Sequence, residues 1–136
     1  EFERRKIRNV KLITGEATDL SAFSRDSFDL VFSCASLFRF GPESIEQVLR
    51  EICRVARKRV VLLEQHEEGA CSKRSENGRF ELRPWNQKGY WIWDYQALFR
   101  RIDPSTVLKI SRIPSPAWAT EHWRTHGCLI TVEFSH

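Results

Sequence analysis

The chain has 136 residues, 41% of them hydrophobic and 29% charged, with a formal net charge of +4. That is about one domain of ordinary globular composition, and no run approaches the roughly 20 apolar residues of a membrane span. The basic excess gathers at Arg4, Arg5, Lys6 and Arg8 and again at Arg54, Arg57, Lys58 and Arg59. It lacks the continuous basic face, exposed aromatics or motif of a nucleic-acid binder, so neither nucleic acid nor membrane is an expected partner.

Nothing at the start resembles a signal peptide, because Glu1-Phe2-Glu3-Arg4-Arg5-Lys6 leads into a strand pattern without an apolar h-region. Cys34, Cys53, Cys71 and Cys128 are widely spaced, with no Cys-x-x-Cys pair and no matching His spacing for zinc. Free thiols in a reducing, cytoplasmic compartment are the expectation, with Cys34 and Cys53 in core elements and no metal site. The absence of Met reads as a piece of a longer sequence, truncated at its N-terminus.

Taken in order, residues 9–14 alternate loosely as a strand, and Gly15 permits a tight exit. A loop from Glu16 to Leu20 and a polar turn over 21–26 lead to an apolar run, Leu30-Val31-Phe32, too short and uniform for a half-exposed strand. From Pro42 to Arg57 the apolar residues Ile45, Val48, Leu49, Ile52, Cys53 and Ala56 recur at spacings of three and four, which predicts an amphipathic helix. Pro42 suits its first turn, and the order of charge from Glu43 and Glu46 to Arg54, Arg57, Lys58 and Arg59 suits its dipole. Val60 to Leu63 is a second buried strand, so the three elements form a βαβ unit with parallel strands.

Beyond Glu64 the pattern dissolves over 65–79 into a surface loop or lid. Phe80-Glu81-Leu82 reads as a short strand and 84–89 as a turn. A second helix enters at Asp94, a suitable N-cap, and stops before Pro104. Residues 107–113 form a strand, 114–126 a loop with two tryptophans, and 127–134 a final strand. The last two strands, joined without a long helix, are expected to pair antiparallel.

Three motifs in register carry a family resemblance. Gly15-Glu16-Ala17, then Ser27-Phe28-Asp29-Leu30-Val31-Phe32-Ser33, then Leu49-Arg50-Glu51-Ile52-Cys53-Arg54-Val55 resemble the "G-D-A", "S-F-D-L-V-x-S" and "L-R-E-I-x-R-V" signatures of class I S-adenosylmethionine-dependent methyltransferases of the type 11 kind. The resemblance is close over 9–64 and holds in outline over 90–134. It implies an α/β, Rossmann-like mixed sheet, mostly parallel with an antiparallel C-terminal pair, making up one partial domain over 1–136. It also implies methyl transfer from S-adenosylmethionine to a small-molecule acceptor.

By the resemblance, Glu16 accepts a hydrogen bond from the adenine amino group, which suits an acceptor-only carboxylate, and Ala17 offers its amide to the ring. A solvated loop acid is the other reading of Glu16. Ser33 and Cys34 match backbone near the methionine part of the cofactor. Two departures stand out. Leu37 is followed by Phe38 and Arg39 where the family carries a His, so the catalytic residue is unknown. The glycine-rich turn and the ribose-binding acid have no counterpart, so the chain alone is expected to bind cofactor poorly.

The strands that in the family separate residues 10–14 from 29–33 are missing too. Either these two segments dock side by side, or a second copy fills the open edge and makes a homo-oligomer.

Trp85, Trp91, Trp93, Trp118 and Trp123 fall in late loops, where Trp91, Trp93 and Trp118 would wall a flat or cationic acceptor, or else roof the sheet as core. His66, beside Glu67 and Glu68 past a strand's carboxyl end, is a candidate base or a solvated loop residue. His122 and His126 lack a third metal ligand. The competing reading is a non-catalytic module that self-associates or binds a protein partner.

Overall fold

A computed structural model describes residues 9–70, 90–117 and 120–134. Four strands, β1 (Phe28–Cys34), β2 (Ala56–Gln65), β3 (Leu108–Arg112) and β4 (Gly127–Glu133), form one sheet in the order β1-β2-β4-β3. β1 and β2 are parallel, and β4 lies antiparallel to both β2 and β3, so one of the three pairings is parallel. The sheet is mixed, and its last two strands pair antiparallel, as expected.

The crossover from β1 to β2 is helix α1 (Ile45–Val55), which buries Ile45, Val48, Leu49, Ile52 and Val55 against the sheet. Helix α2 (Tyr95–Ile102) adds Tyr95, Leu98 and Phe99 to the same core. Asp94 caps α2 as its sequence position predicts, accepting from the Ala97 amide at 3.0 Å through Oδ1. Its Oδ2 accepts from the Gly69 amide at 2.9 Å, so one carboxylate ties the segment after β2 to the start of α2.

Among the described residues, only one face of the sheet is covered. Val60 and Leu62 of β2 and Ile130 and Val132 of β4 are fully buried beneath the helices. The opposite face carries Leu30 (54% exposed), Phe32 (58%) and Leu129 (39%), an apolar surface with no layer against it among the described residues. Parallel pairs are ordinarily covered on both faces, and among the described residues this side of the sheet has no such cover.

Several expectations are corrected. Residues 10–14 form no strand, and Val10, Leu12 and Ile13 are exposed. Alternation alone cannot make a strand that has no neighbour to bond, and among the described strands β1 pairs with β2 alone. Docking of 10–14 beside β1 is therefore not what is found.

Residues Arg57, Lys58 and Arg59 do not extend α1. The helix passes directly into β2 at Ala56, and the basic residues become strand residues, of which Arg59 pairs with Leu30 of β1 and Glu133 of β4. Arg57 lies 2.5 Å and Lys58 3.1 Å from Asp29 of β1, and Arg59 lies 2.6 Å from Glu133 of β4. Pro42 belongs to the turn before the helix, which begins at Ile45 after Ser44.

The stretch 114–126 is not all loop, because Glu121–His126 forms a short helix, α3, leading into β4. Cys34 is exposed rather than core, since it sits on the open face at the end of β1, while Cys53 is half-buried. Burial pushes the Cys53 thiol up to about 12, aided by nearby Asp103, so it is inert as a nucleophile. Cys71, Trp85, the strand expected at 80–82, the turn at 84–89 and Trp118 lie outside the described residues. No described helix is long and apolar enough to cross a membrane.

Candidate functional site

The segment between Glu16 and Asp26 is laid along α1 by side chains of that helix. Glu51 accepts the Leu20 amide at 2.8 Å, and Arg54 donates to the Leu20 and Phe23 carbonyls, each at 2.8 Å. Arg54 is itself held by Glu51 at 2.8 Å, and this pairing with Arg54 and the Leu20 amide keeps the Glu51 carboxyl below its ordinary range. The familiar "L-R-E-I-x-R-V" pattern thus supplies, through Glu51 and Arg54, the groups that fasten the upstream loop.

That fastening shapes an open groove of about 680 Å³ lined by Lys11, Ile13, Gly15, Glu16, Ala17, Leu20, Phe23, Ser27 and Phe28. Its walls are mostly apolar. Glu16 is exposed at its rim, while Ala17 is half-buried and packs against the core. Phe23 meets Phe28 edge to face, with ring centroids 5.1 Å apart, and stiffens the lower wall. The size lies within the range of small-ligand sites, roughly 300–1,000 Å³.

Ser33 and Cys34 belong to another neighbourhood. They end β1, six residues and about 20 Å of strand beyond Phe28, at the carboxyl edge where open α/β sheets receive ligands. The residue that organises this edge is Glu64, whose part the sequence reading missed. It is fully buried near the end of β2, and its Oε1 accepts from the Ser36 amide (2.9 Å), the Leu37 amide (3.1 Å) and the Ser33 hydroxyl (3.1 Å). Burial lifts its carboxyl above the usual range, against the lowering effect of those donors. A lone acid closing the apolar run Val60-Val61-Leu62-Leu63 was the available signal.

His66 is neither a solvated residue nor an exposed base. It is buried, its amide donates to the His126 carbonyl at 2.9 Å, and its Nδ1 accepts the Tyr95 amide at 3.2 Å. Burial holds its ring below the ordinary histidine range, as does Arg112, whereas Asp94, a bond to Trp93 and Glu68 act the other way. The imidazole pins the start of α2.

Trp91 and Trp93 stack with centroids 5.3 Å apart and planes 13° from parallel. Trp93 is 2% exposed and donates its indole N–H to the Phe40 carbonyl at 3.1 Å, so it belongs to the roof of the sheet. Trp91 is half-buried, and its amide donates to the Phe38 carbonyl at 2.8 Å. Phe38 and Tyr90 pack edge to face beneath Arg39, whose guanidinium lies 5.4 and 5.5 Å from the two rings. No group of His, Cys, Asp and Glu among the described residues is placed to hold a metal ion.

A family profile described as a methyltransferase domain matches residues 1–63. No curated protein matches the chain. Among solved structures, the PH0226 protein of Pyrococcus horikoshii OT3 is similar at 15% identity and a TM-score of 0.64, over 98% of this chain and 64% of that one. A SAM-dependent methyltransferase of Aquifex aeolicus is similar at 12% identity and a TM-score of 0.55, over 98% and 60% of the two chains. An S-adenosylmethionine-dependent methyltransferase of Mesorhizobium loti is similar at 16% identity and a TM-score of 0.55, over 88% and 68%. The chain thus spans about three fifths of the length of the first two, and its fold is class I methyltransferase-like.

Proposed function

From a class I methyltransferase-like fold as premise, we propose that this protein transfers a methyl group from S-adenosylmethionine to a small-molecule acceptor. The observation that carries the reading is the groove at Glu16 and Ala17, formed within the stretch that the methyltransferase-domain profile matches. Its apolar walls suit a flat heteroaromatic ring, and the Glu16 carboxylate at the rim is an acceptor for an exocyclic amino group. The residues present fit the adenine end of the cofactor. Ser33 and Cys34 would meet its methionine end, and the glycine-rich turn and ribose-binding acid have no counterpart in this sequence.

The chemistry asked of these residues is positioning. S-adenosylmethionine supplies an activated methyl group, and the protein's part is to hold acceptor and donor in line and to exclude water. The half-exposed Trp91, backed by Trp93, is the described aromatic wall for a flat or cationic acceptor. Three free thiols among the described residues fit a cytoplasmic setting.

Titration of the chain with S-adenosylhomocysteine tests the reading. Saturable binding weakened by Glu16→Ala by about tenfold, the worth of one hydrogen bond to a charged group, is the supporting result. Binding indifferent to Glu16 would remove the groove from the site.

One observation favours a second reading, a non-catalytic module that associates with a second copy of itself. Among the described residues β1 has one edge unpaired, and Phe28, Leu30 and Phe32 stand exposed along it. Two copies of β1 run antiparallel about Val31 would set Leu30 against Phe32 of the second copy, so the stripe is complementary to itself, as a two-fold interface requires. Sedimentation of the chain should then give a dimer that Phe32→Asp converts to monomer. A monomer at every concentration would end this reading.

A further inference from the structure

We infer that Glu64 is the positioning residue of the turn after β1, fixing the main chain of Ser33 to Leu37 from the neighbouring strand. The inference rests on the methyl-transfer reading for its functional meaning, since that turn carries Ser33 and Cys34.

The geometry is specific. Two consecutive main-chain N–H groups, Ser36 and Leu37, converge on one carboxyl oxygen at 2.9 and 3.1 Å, and the Ser33 hydroxyl reaches the same atom at 3.1 Å from the other side of the turn. The turn that brings these amides together contains a left-handed residue, Ala35, with φ of 49°. A residue with a Cβ is disfavoured there, so the conformation persists because the surroundings impose it. The Ala35 amide extends the parallel ladder to the Leu63 carbonyl at 2.9 Å, and the Ser36 hydroxyl returns to the Cys34 carbonyl at 3.0 Å. β2 therefore grips the turn through two successive residues, Leu63 by its backbone and Glu64 by its side chain.

The other carboxyl oxygen, Oε2, is buried without a hydrogen-bond partner. The Ser36 and Leu37 amides and the Ser33 hydroxyl all use Oε1. Burial raises this carboxyl above its ordinary range, while the surrounding donors act the other way. Replacing the carboxyl by an apolar residue of similar volume would leave the Ser36 and Leu37 amides and the Ser33 hydroxyl without their acceptor. What the carboxyl adds is reach, from one strand across to the backbone of the next.

Amide hydrogen exchange on the chain, with S-adenosylhomocysteine as the ligand probe, tests the inference. Glu64→Gln keeps an acceptor at the Oε1 position and should leave exchange at Ser36 and Leu37 unchanged. Glu64→Leu should speed both by at least about tenfold while Val61 and Ile130 stay protected, a local rather than global opening. Glu64→Asp, one methylene short, stands in with the same expected outcome if the leucine variant does not fold. Equal protection at Ser36 and Leu37 in all variants would overturn the inference, as would equal loss in the glutamine and leucine forms. If wild-type chain binds the probe, Glu64→Leu should weaken it about tenfold and Glu64→Gln hardly at all. If it does not bind, the methyl-transfer reading falls and the exchange result still judges the role of Glu64.

Discussion

Trp93→Ala is expected to cost about 3–5 kcal/mol of folding stability, the range for truncating a buried aromatic, from a total that for domains of this size is about 5–15 kcal/mol. Trp93 is placed to cost this much for two reasons, its ring and its indole N–H. Its ring is 2% exposed within the core formed by α1, α2 and the sheet. Its indole N–H satisfies the Phe40 carbonyl, which the alanine variant would leave unpaired. Its backbone continues the parallel pairing beyond β2, bridging His66, and its carbonyl accepts the Glu67 amide at 3.3 Å.

The segment carrying Trp91 and Trp93 is thereby sewn to the turn at Phe38 and Phe40, and through it to the end of β1. Trp93→Phe keeps most of the volume and loses the donor, so its cost should fall to about 1–2 kcal/mol. Urea unfolding followed by far-ultraviolet circular dichroism ranks the three proteins. Equal stability of wild type and Trp93→Ala would mean that the indole is a dispensable wall and that the roof is held elsewhere.

The way Trp93 is held also shows where sequence reading stops. Apolar spacing identified the core face of α1, because a helix repeats every 3.6 residues whatever it packs against, and Ile45, Val48, Leu49 and Ile52 are all buried. Asp94 was readable as a cap because capping is local, joining an acid to an amide three residues on.

Glu64 was not readable, since its donors lie 27 to 31 residues upstream and are brought to it only when β1 and β2 pair. The same holds for His66, whose partner amide is 29 residues away. Residues 10–14 alternate like a strand, yet a strand is a pairing, and alternation names no partner. α3 failed differently. Six residues, Glu121–His126, are too few to display a period.

For the candidate site, the motif reading grouped Glu16 and Ala17, and both line one groove, because a contiguous loop stays together. It could not say that Glu51 and Arg54 shape the groove those residues line. In the motif these two appear merely as helix charges, while in the fold they satisfy the backbone of Leu20 and Phe23. Trp93 was open to two readings in the sequence, acceptor wall or roof of the sheet, and its ring and N–H are both spent on the core.

His66 should make stability fall as the solution is acidified. Its ring is buried and its folded pKa lies below the ordinary value of 6.5, chiefly through burial, so in the window beneath that value the unfolded chain binds a proton that the folded chain refuses. Its contribution is fully present above 6.5 and is lost as pH falls toward the depressed folded value. Each unit separating the two values corresponds to about 1.4 kcal/mol.

The structural reason is the bond from the Tyr95 amide to Nδ1, which requires a lone pair that protonation would remove. Asp94 and Glu68 favour the proton and Arg112 opposes it, so acid weakens this grip on α2 without a neighbouring charge of one sign deciding the outcome. Glu64 titrates in the opposite sense. Burial raises its carboxyl above the model-compound value of 4.5, so its contribution is present at low pH and is lost as pH rises through the raised folded value.

The two effects are separated by their variants. Urea midpoints measured from about pH 7.5 down to 5 should decline more steeply for Glu64→Gln than for wild type, because the opposing titration is gone, and should lose the decline in His66→Gln, whose side-chain oxygen can accept the Tyr95 amide without titrating. An unchanged acid slope in His66→Gln would transfer the titration to another group and leave the imidazole as packing alone.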